Sequence, residues 1–391
     1  MIPRQSFDVI IIGGGLVGLA LARALAGSGL RLALIEPQRP APPPADAVWD
    51  SRVFALSPGS AAFLADGGAW ELLPRERIAR VEAMRIFGDD PGARLDFNAY
   101  DAGLRELAFI VENRHLLHAL REAAREQELG FFCPAGWTAL DIHDDHVAVR
   151  LEDGAELAAR LVVGADGAES RVRARAGITV QASDYRQLGV VANFDSEKPH
   201  HGVAFQWFRR DGVLALLPLP GNRTSMVWSI AEERGRRLLG LAHAELAAEV
   251  ETATGGALGT LRVITPAAGF PLKLQSVTQF TKPRLALVGD AAHNVHPLAG
   301  QGVNLGFRDA RALAGVLKER GPQNDCGDYA LLRRYERARR EDVLAMQVAT
   351  DGLQKLFNND AVLLARMRNL GLTLVDRQPW LKSFLVHHAV A

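Results

Sequence analysis

The sequence predicts a mixed α/β (α+β) fold, in which a parallel, helix-flanked sheet is interrupted by an antiparallel sheet and followed by a helical C-terminal region. Three observations carry this expectation. An apolar run, Phe7–Ile12, leads directly into Gly13-Gly14-Gly15-Leu16-Val17-Gly18, and a helical pattern and a second apolar run ending at Glu36 follow. Between about residues 178 and 272, short β-type runs are punctuated by Gly202, Gly212 and Gly221-Asn222. After Asp309 the pattern is helical almost to the end of the chain.

Phe7–Ile12 is short and rich in β-branched residues, as a buried strand is. Gly13, Gly15 and Gly18 satisfy GxGxxG, and Leu16–Ala26 then reads as a helix of Leu, Ala and Arg. Gly27 and Gly29 end it, Arg31–Ile35 is the next strand, and Glu36 closes that strand. Strand, glycine turn, helix, strand and terminal acid together form the complete βαβ setting of a dinucleotide site. The glycines make the turn, admit a pyrophosphate and let helix pack on strand, and Glu36 can accept the ribose hydroxyls.

Pro40–Pro44 reads as a surface excursion. Ser57–Leu73 reads as a helix with Pro58 at its first position. Val81–Phe97 suggests strands, and Arg114–Leu129 a helix with Leu116, Leu117 and Leu120 on its apolar face. Residues 137–163 look like a strand meander turning at Asp153-Gly154. Leu161-Val162-Val163 runs into Gly164-Ala165-Asp166-Gly167, which by itself is an ordinary Asp-Gly turn. Val190–Phe194, Val203–Phe208, Val213–Pro218 and Ser225–Ile230 form the inserted antiparallel sheet, with a helix at roughly Leu241–Thr252. Leu285–Gly289 returns to the first domain. Arg333, Arg334, Arg337, Arg339 and Arg340 crowd one long helix and read as a solvated face with acid partners.

Residues 289–309 are the most informative stretch. Asp290 directly follows the apolar strand, His296-Pro297 fixes a turn, and Gly300 and Gly302 open a helix that begins near Val303. Pro297 locks φ, and the glycines let backbone N–H groups approach something closely. A helix N-terminus adds unpaired donors and a positive dipole end. Such a device suits a polar or anionic ring edge, such as a flavin.

At 391 residues the chain fits two or three domains. A formal net charge of zero argues against nucleic acid as a partner. Cys133 and Cys326 have no metal-like spacing and suggest no disulfide scaffold, so a reducing, cytoplasmic setting is expected. Arg4 and the apolar run after it resemble a signal peptide only until the three glycines are weighed. His293 and His296 lack the spacing of a zinc pair, and no metal site is expected.

The glycine turn, the Asp-Gly turn and the Gly-Asp stretch, in this order, resemble the aromatic-ring hydroxylases of the group A flavoprotein monooxygenase family. Within it, His296-Pro297-Leu298-Ala299-Gly300-Gln301-Gly302-Val303-Asn304-Leu305-Gly306 is similar to the signature of the ubiquinone-biosynthesis hydroxylases. Ile110–Asn113, Ala215–Leu219, Val227–Ser229 and Leu332–Arg337 resemble the branch acting at ring position 5, although relatives act at positions 1 or 6. The resemblance implies a para-hydroxybenzoate hydroxylase-like fold. Residues 1–80, 98–178 and 273–325 would form a Rossmann-like FAD-binding domain, 81–97 and 179–272 the substrate-binding β-sheet domain, and 326–391 a C-terminal helical region.

The same resemblance assigns roles. Gly13, Gly15 and Gly18 would hold the FAD pyrophosphate and Glu36 the adenosine ribose. Arg52 would lie beside the flavin and pyrophosphate, and Asn113 near the FAD, where a helix N-cap is the rival role. Asp166 would serve both FAD and nicotinamide handling, and Asp290 the ribityl chain. Pro297 would pack by the flavin edge and the reaction site, and Gly302, Val303 and Asn304 against the isoalloxazine. Pro297 and Asp290 are the catalytic candidates. The implied reaction is NAD(P)H- and O2-dependent hydroxylation of a polyprenyl phenol through a flavin hydroperoxide, with another soluble aromatic as the alternative substrate. A flavin-holding partner in a biosynthetic complex is a third reading, which the intact cofactor motifs disfavour. There is no second GxGxxG, which fits the transient nicotinamide visit that the resemblance implies, and no Trp-x-Trp-x-Ile-Pro segment of the halogenase relatives. Trp380 and Leu381–Val386 form an apolar stretch suited either to packing on the core or to peripheral contact with the inner membrane.

Overall fold

The computed structural model describes residues 5–39, 41–42, 48–88, 94–209, 211–294, 301–321 and 323–357. The chain begins with strand β1 (Gln5–Ile12), helix α1 (Leu16–Ala24) and strand β2 (Leu32–Ile35), and β1 and β2 pair in parallel from Val9↔Leu32 to Ile12↔Ile35. From Val9 to Ile12 and throughout β2 the side chains are buried on both faces of the sheet, which is why these stretches are apolar.

Strand β3 (Val53–Leu56) leads into helix α2 (Pro58–Asp66). Ser57 caps α2, its hydroxyl accepting from the Ser60 N–H at 3.1 Å. The helix expected over Ser57–Leu73 stops at Asp66, because Gly67-Gly68 follows and Gly68 turns out of the helix at φ +73°. Next come β4 (Ala79–Val81), β5 (Ala83–Phe87), β6 (Arg94–Asn98), β7 (Ala108–Glu112), α3 (Asn113–Arg125) and β8 (Leu129–Phe132). Strand β7 lies between β3 and β4 in a small antiparallel sheet. The helix expected to reach Leu129 ends four residues earlier, since Leu129–Phe132 pairs in parallel with β2. That pairing is non-local and overrides local propensity.

Strands β9 (Trp137–Ile142), β10 (Val147–Leu151) and β11 (Glu156–Gly164) form the expected meander, but β11 also runs parallel to β1 from Gln5↔Leu157 to Ile12↔Gly164. Helix α4 (Arg171–Arg175) follows. The second sheet begins with β12 (Val180–Ser196), far longer than the Val190–Phe194 run. Its polar first half pairs with a late strand through a bulge at Asp184–Gln187, so apolar patterning marks only the second half. The sheet continues with β13 (Val203–Arg209), β14 (Gly212–Leu219) and β15 (Arg223–Ala231). Helices α5 (Glu232–Leu239) and α6 (His243–Ala253) pack beside it, and β16 (Leu261–Val263) and β17 (Ala268–Val277) complete the insertion. Helix α5 escaped the sequence reading because it is mostly Glu and Arg, with ion pairs such as Arg237–Glu249 at 2.8 Å. Strands β5 and β6 join this sheet through a parallel β5–β13 pairing, giving the order β17-β12-β15-β14-β13-β5-β6.

Strands β18 (Thr281–Lys282) and β19 (Leu285–Leu287) return to the first sheet, and β20 (His293–Asn294) adds to the edge of β17. Helices α7 (Gln301–Lys318) and α8 (Tyr329–Phe357) follow. The parallel strands stand in the order β8-β2-β1-β11-β19, so the chain reverses direction between β1 and β11. In an open parallel sheet, ligands bind at the carboxyl ends of the strands beside that reversal. Among the described residues, no helix is long and apolar enough to cross a membrane.

Candidate active site

The glycine turn and the Asp-Gly turn meet at the strand reversal. Gly13 takes φ +114°, and a Cβ there would stand 2.3 Å from the Ala165 carbonyl oxygen. A Cβ on Gly18 would stand 2.0 Å from the Gly13 carbonyl oxygen. Both glycines therefore let backbones touch. Gly15 differs: a Cβ there would meet nothing within 4 Å. It precedes α1, whose N-terminus has no side-chain cap and no acid in its first turn. Its positive end therefore faces open space, as an anion site requires. Glu36, at the end of β2, accepts from the Gly14 N–H at 2.7 Å and from the Gln38 N–H at 2.9 Å.

Asp166 accepts from the Val172 N–H at 3.1 Å through Oδ2, whereas its buried Oδ1 has no partner among the described residues. Arg173, on the same turn of chain, donates to the Ala168 carbonyl at 2.8 Å and to the Ala291 carbonyl at 2.9 Å. Arg173 thus ties the Asp-Gly turn to the turn that carries Asp290, a role with no local sequence mark. Its own burial lowers its pKa.

Asp290 lies on the short turn Gly289–Ala291 after β19. Its side chain is exposed to solvent, with protein close around its carboxyl group. Burial raises its pKa, against the pull of His293 and Arg52. Arg52 is exposed, with its guanidinium over the Phe54 ring at 5.3 Å. Its carbonyl accepts from the Asn113 N–H at 2.9 Å, which places Asn113 beside it. Asn113 is the first residue of α3, and Glu112 holds the cap position. The Arg52 loop is gripped from below: Glu112 accepts from the Asp50 N–H at 2.6 Å, Asn193 donates to the Asp50 carbonyl at 2.8 Å, and Arg77 bonds Glu112 at 2.8 Å.

Gly302 and Val303 sit in the first turn of α7, and a Cβ on Gly302 would meet open space. Val303 is half-buried against the core. Asn304 is buried, and its amide is committed inside the protein: Oδ1 accepts from the Ser57 N–H at 3.0 Å and Nδ2 donates to the Ala55 carbonyl at 2.8 Å. Pro297, with His296 and Gly300, lies outside the described residues.

The arginine-rich helix holds a correction. Arg339 is not on a solvated face; it is 4% exposed and its Nε donates to Asp309 at 2.8 Å. Asp309 also bonds the His293 ring at 2.6 Å. Burial opposes the Asp309 charge, but His293 and Arg339 outweigh it and hold the carboxyl below its usual range.

Three features fit FAD: open glycines at Gly15 and Gly302, an unpartnered buried acceptor on Asp166, and an uncapped helix end beside Glu36. The chain matches the FAD binding domain family over residues 6–350. It is 39% identical over 385 residues to the ubiquinone hydroxylase UbiL of Rhodospirillum rubrum, covering 98% of this chain and 89% of that protein. It is 37% identical over 391 residues to the 3-demethoxyubiquinol 3-hydroxylase of Escherichia coli, covering 99% of each. In fold it is similar to the FAD-dependent monooxygenase PqsL of Pseudomonas aeruginosa, with a TM-score of 0.79 at 25% identity, covering 94% of this chain and 100% of that one. A dinucleotide cradle at the strand reversal, matched along nearly the whole chain, makes this protein an FAD-dependent monooxygenase, a member of the ubiquinone-biosynthesis aromatic hydroxylase family.

Proposed function

We propose that this chain hydroxylates the aromatic ring of a polyprenyl phenol on the route to ubiquinone, using NAD(P)H and O2. One oxygen atom enters the ring and the other leaves as water, with two electrons from NAD(P)H. The bound flavin supplies the redox chemistry. The protein's own groups bind, orient and exclude water. The Gly13–Gly15 turn and the α1 N-terminus hold the pyrophosphate, and Glu36 the ribose. Asp290 takes the ribityl hydroxyls, and Arg52 and Asn113 approach from the facing loop. The start of α7 offers N–H donors and a positive dipole end to the ring edge that gains negative charge on reduction. Residues 1–80, 98–178 and 273–325 build the cofactor part, and 81–97 with 179–272 the substrate part; the sheet memberships support this division except that β17 runs on to Val277 and β20 pairs with it in the second sheet.

One observation carries the substrate class. Leu217 of β14 packs against the small cluster of Ala79, Val81, Ile110, Ala204 and Leu219, and Trp49, Val53 and Ala55 beside the Arg52 loop pack against that same cluster. Ala215 shares the face of Leu217 by the two-residue period of a strand, and Val227 shares it as the cross-strand partner of Ala215. Ala215, Leu217 and Val227 stay half-buried, an apolar strip suited to a prenylated ring. Such a substrate dissolves in lipid, so the enzyme would meet it at a membrane surface.

The test is complementation of bacterial strains that each lack one ubiquinone-pathway hydroxylase, with quinone intermediates identified by mass spectrometry. Restored ubiquinone in one strain establishes the reaction and the ring position. Yellow, FAD-loaded protein that rescues no strain overturns the substrate assignment.

A further inference from the structure

The turn that presents Asp290 is braced from behind by a helix that follows it by some forty residues. Asp309, on α7, is fully buried. Its Oδ2 accepts from the Gly289 N–H at 2.9 Å and meets the His293 ring nitrogen at 2.6 Å, so one oxygen grips both ends of the Asp290 turn. Its Oδ1 accepts from Arg339 Nε of α8 at 2.8 Å, and Arg339 Nη1 reaches Asp342 at 2.6 Å. One turn earlier, the buried Tyr335 hydroxyl donates to the Leu287 carbonyl at 2.8 Å, just before the turn. Glu336 accepts from the Thr281 hydroxyl at 2.7 Å.

Two side chains of α8 thus bond β18 and β19 directly, and a third, Arg339, reaches the turn after them through Asp309. A structural helix would be content with apolar packing. Burying a carboxylate and a guanidinium is costly unless their mutual attraction and further hydrogen bonds offset the desolvation, as the bonds from Gly289 and His293 do for Asp309. The geometry fixed here is that of Asp290, which stands between Gly289 and His293 and has its own charge tuned by His293 and Asp309. The opposite side of the turn is held by Arg173 on the Ala291 carbonyl.

We propose that Arg339, Asp309 and His293 form a positioning network that sets the Asp290 carboxylate, so that α8 controls how tightly FAD is held while touching neither cofactor nor substrate. The inference rests on the assignment of Asp290 to the cofactor.

The experiment is FAD titration of the apoprotein by flavin fluorescence quenching, alongside melting of the same apoprotein. The variants are His293→Gln, Asp309→Asn, Arg339→Met, Asp290→Asn and the double variant Asp290→Asn/Arg339→Met. Arg339→Lys, which keeps the charge and much of the volume, replaces Arg339→Met if the latter does not fold. Folded network variants are expected to bind FAD about tenfold more weakly. The double variant should lose little beyond Asp290→Asn alone, because both act through one carboxylate. A purely structural network would lower the melting temperature and leave the dissociation constant within twofold. That result, or fully additive losses in the double variant, overturns the inference while Asp290 keeps its role. Unchanged FAD affinity in Asp290→Asn overturns the assignment of Asp290 and the inference with it.

Discussion

The N–H of Gly14 donates to Glu36 Oε2 at 2.7 Å, so the acid that ends β2 is bonded to the middle of the glycine turn. A Cβ on Gly14 would stand 2.9 Å from the Glu36 Cβ, so the two residues are in direct contact as well. The bond shapes the turn, and the carboxylate that makes it is the proposed ribose acceptor.

Glu36→Ala therefore removes a turn bond and, with it, the proposed ribose acceptor. FAD affinity is expected to fall about tenfold, equivalent to roughly 1.4 kcal/mol. Fluorescence titration of the apoprotein measures it, and an unchanged dissociation constant would refute the ribose role.

Gly15 and Gly18 should fail in different ways. Gly15 has φ −76°, which any residue adopts, and its Cβ would point into open space. Gly15→Val is expected to melt like the parent apoprotein but to bind FAD about a hundredfold more weakly, or ~2.7 kcal/mol. Gly18→Ala puts a Cβ 2.0 Å from a backbone oxygen and should cost about 1–3 kcal/mol of stability. Equal melting temperatures for the two variants would contradict this division.

Asn304→Ala leaves the Ser57 N–H and the Ala55 carbonyl without their buried partner. The expected loss is about 2–4 kcal/mol. Denaturant unfolding of the apoprotein checks it; a loss confined to FAD binding, with stability intact, would show that the amide serves the flavin instead.

Two neighbouring carboxyls should give opposite pH signatures. The pKa of Asp290 is raised by burial, so its ionised form opposes folding at neutral pH, and that penalty fades as pH falls toward the ordinary carboxyl range near ~4. Asp309 is held low by His293 and Arg339 against its own burial. Its stabilisation is present above about pH 4 and is lost as pH falls through its lowered pKa. Asp290→Asn should therefore raise the melting temperature of the apoprotein at pH 7 and lose that gain near pH 4. Asp309→Asn should lower it at pH 7. Parallel shifts in melts across that range would disprove the assignment.

Much of the framework of the candidate site was legible because its devices are local. A missing Cβ at Gly13 or Gly18, an apolar run buried on both faces, and a serine before Pro58 each act within a few residues. Long-range pairing defeated the same reading at Leu129, expected as the last residue of a helix yet the first residue of a strand beside β2. It failed again in the first half of β12, whose polar residues pair with β17.

The amino-acid sequence by itself determined the βαβ cradle and the order of its three motifs, since each depends on the steric freedom and hydrophobic period of adjacent residues. Only the tertiary structure decided that Asp309 and Arg339 are buried partners, that Glu112 and Asn193 grip the Arg52 loop, and that Asn304 is committed to Ala55 and Ser57. An arginine in a helix has the same local pattern whether water or a carboxylate surrounds it. The cost of burying its charge is settled by groups brought from distant parts of the chain.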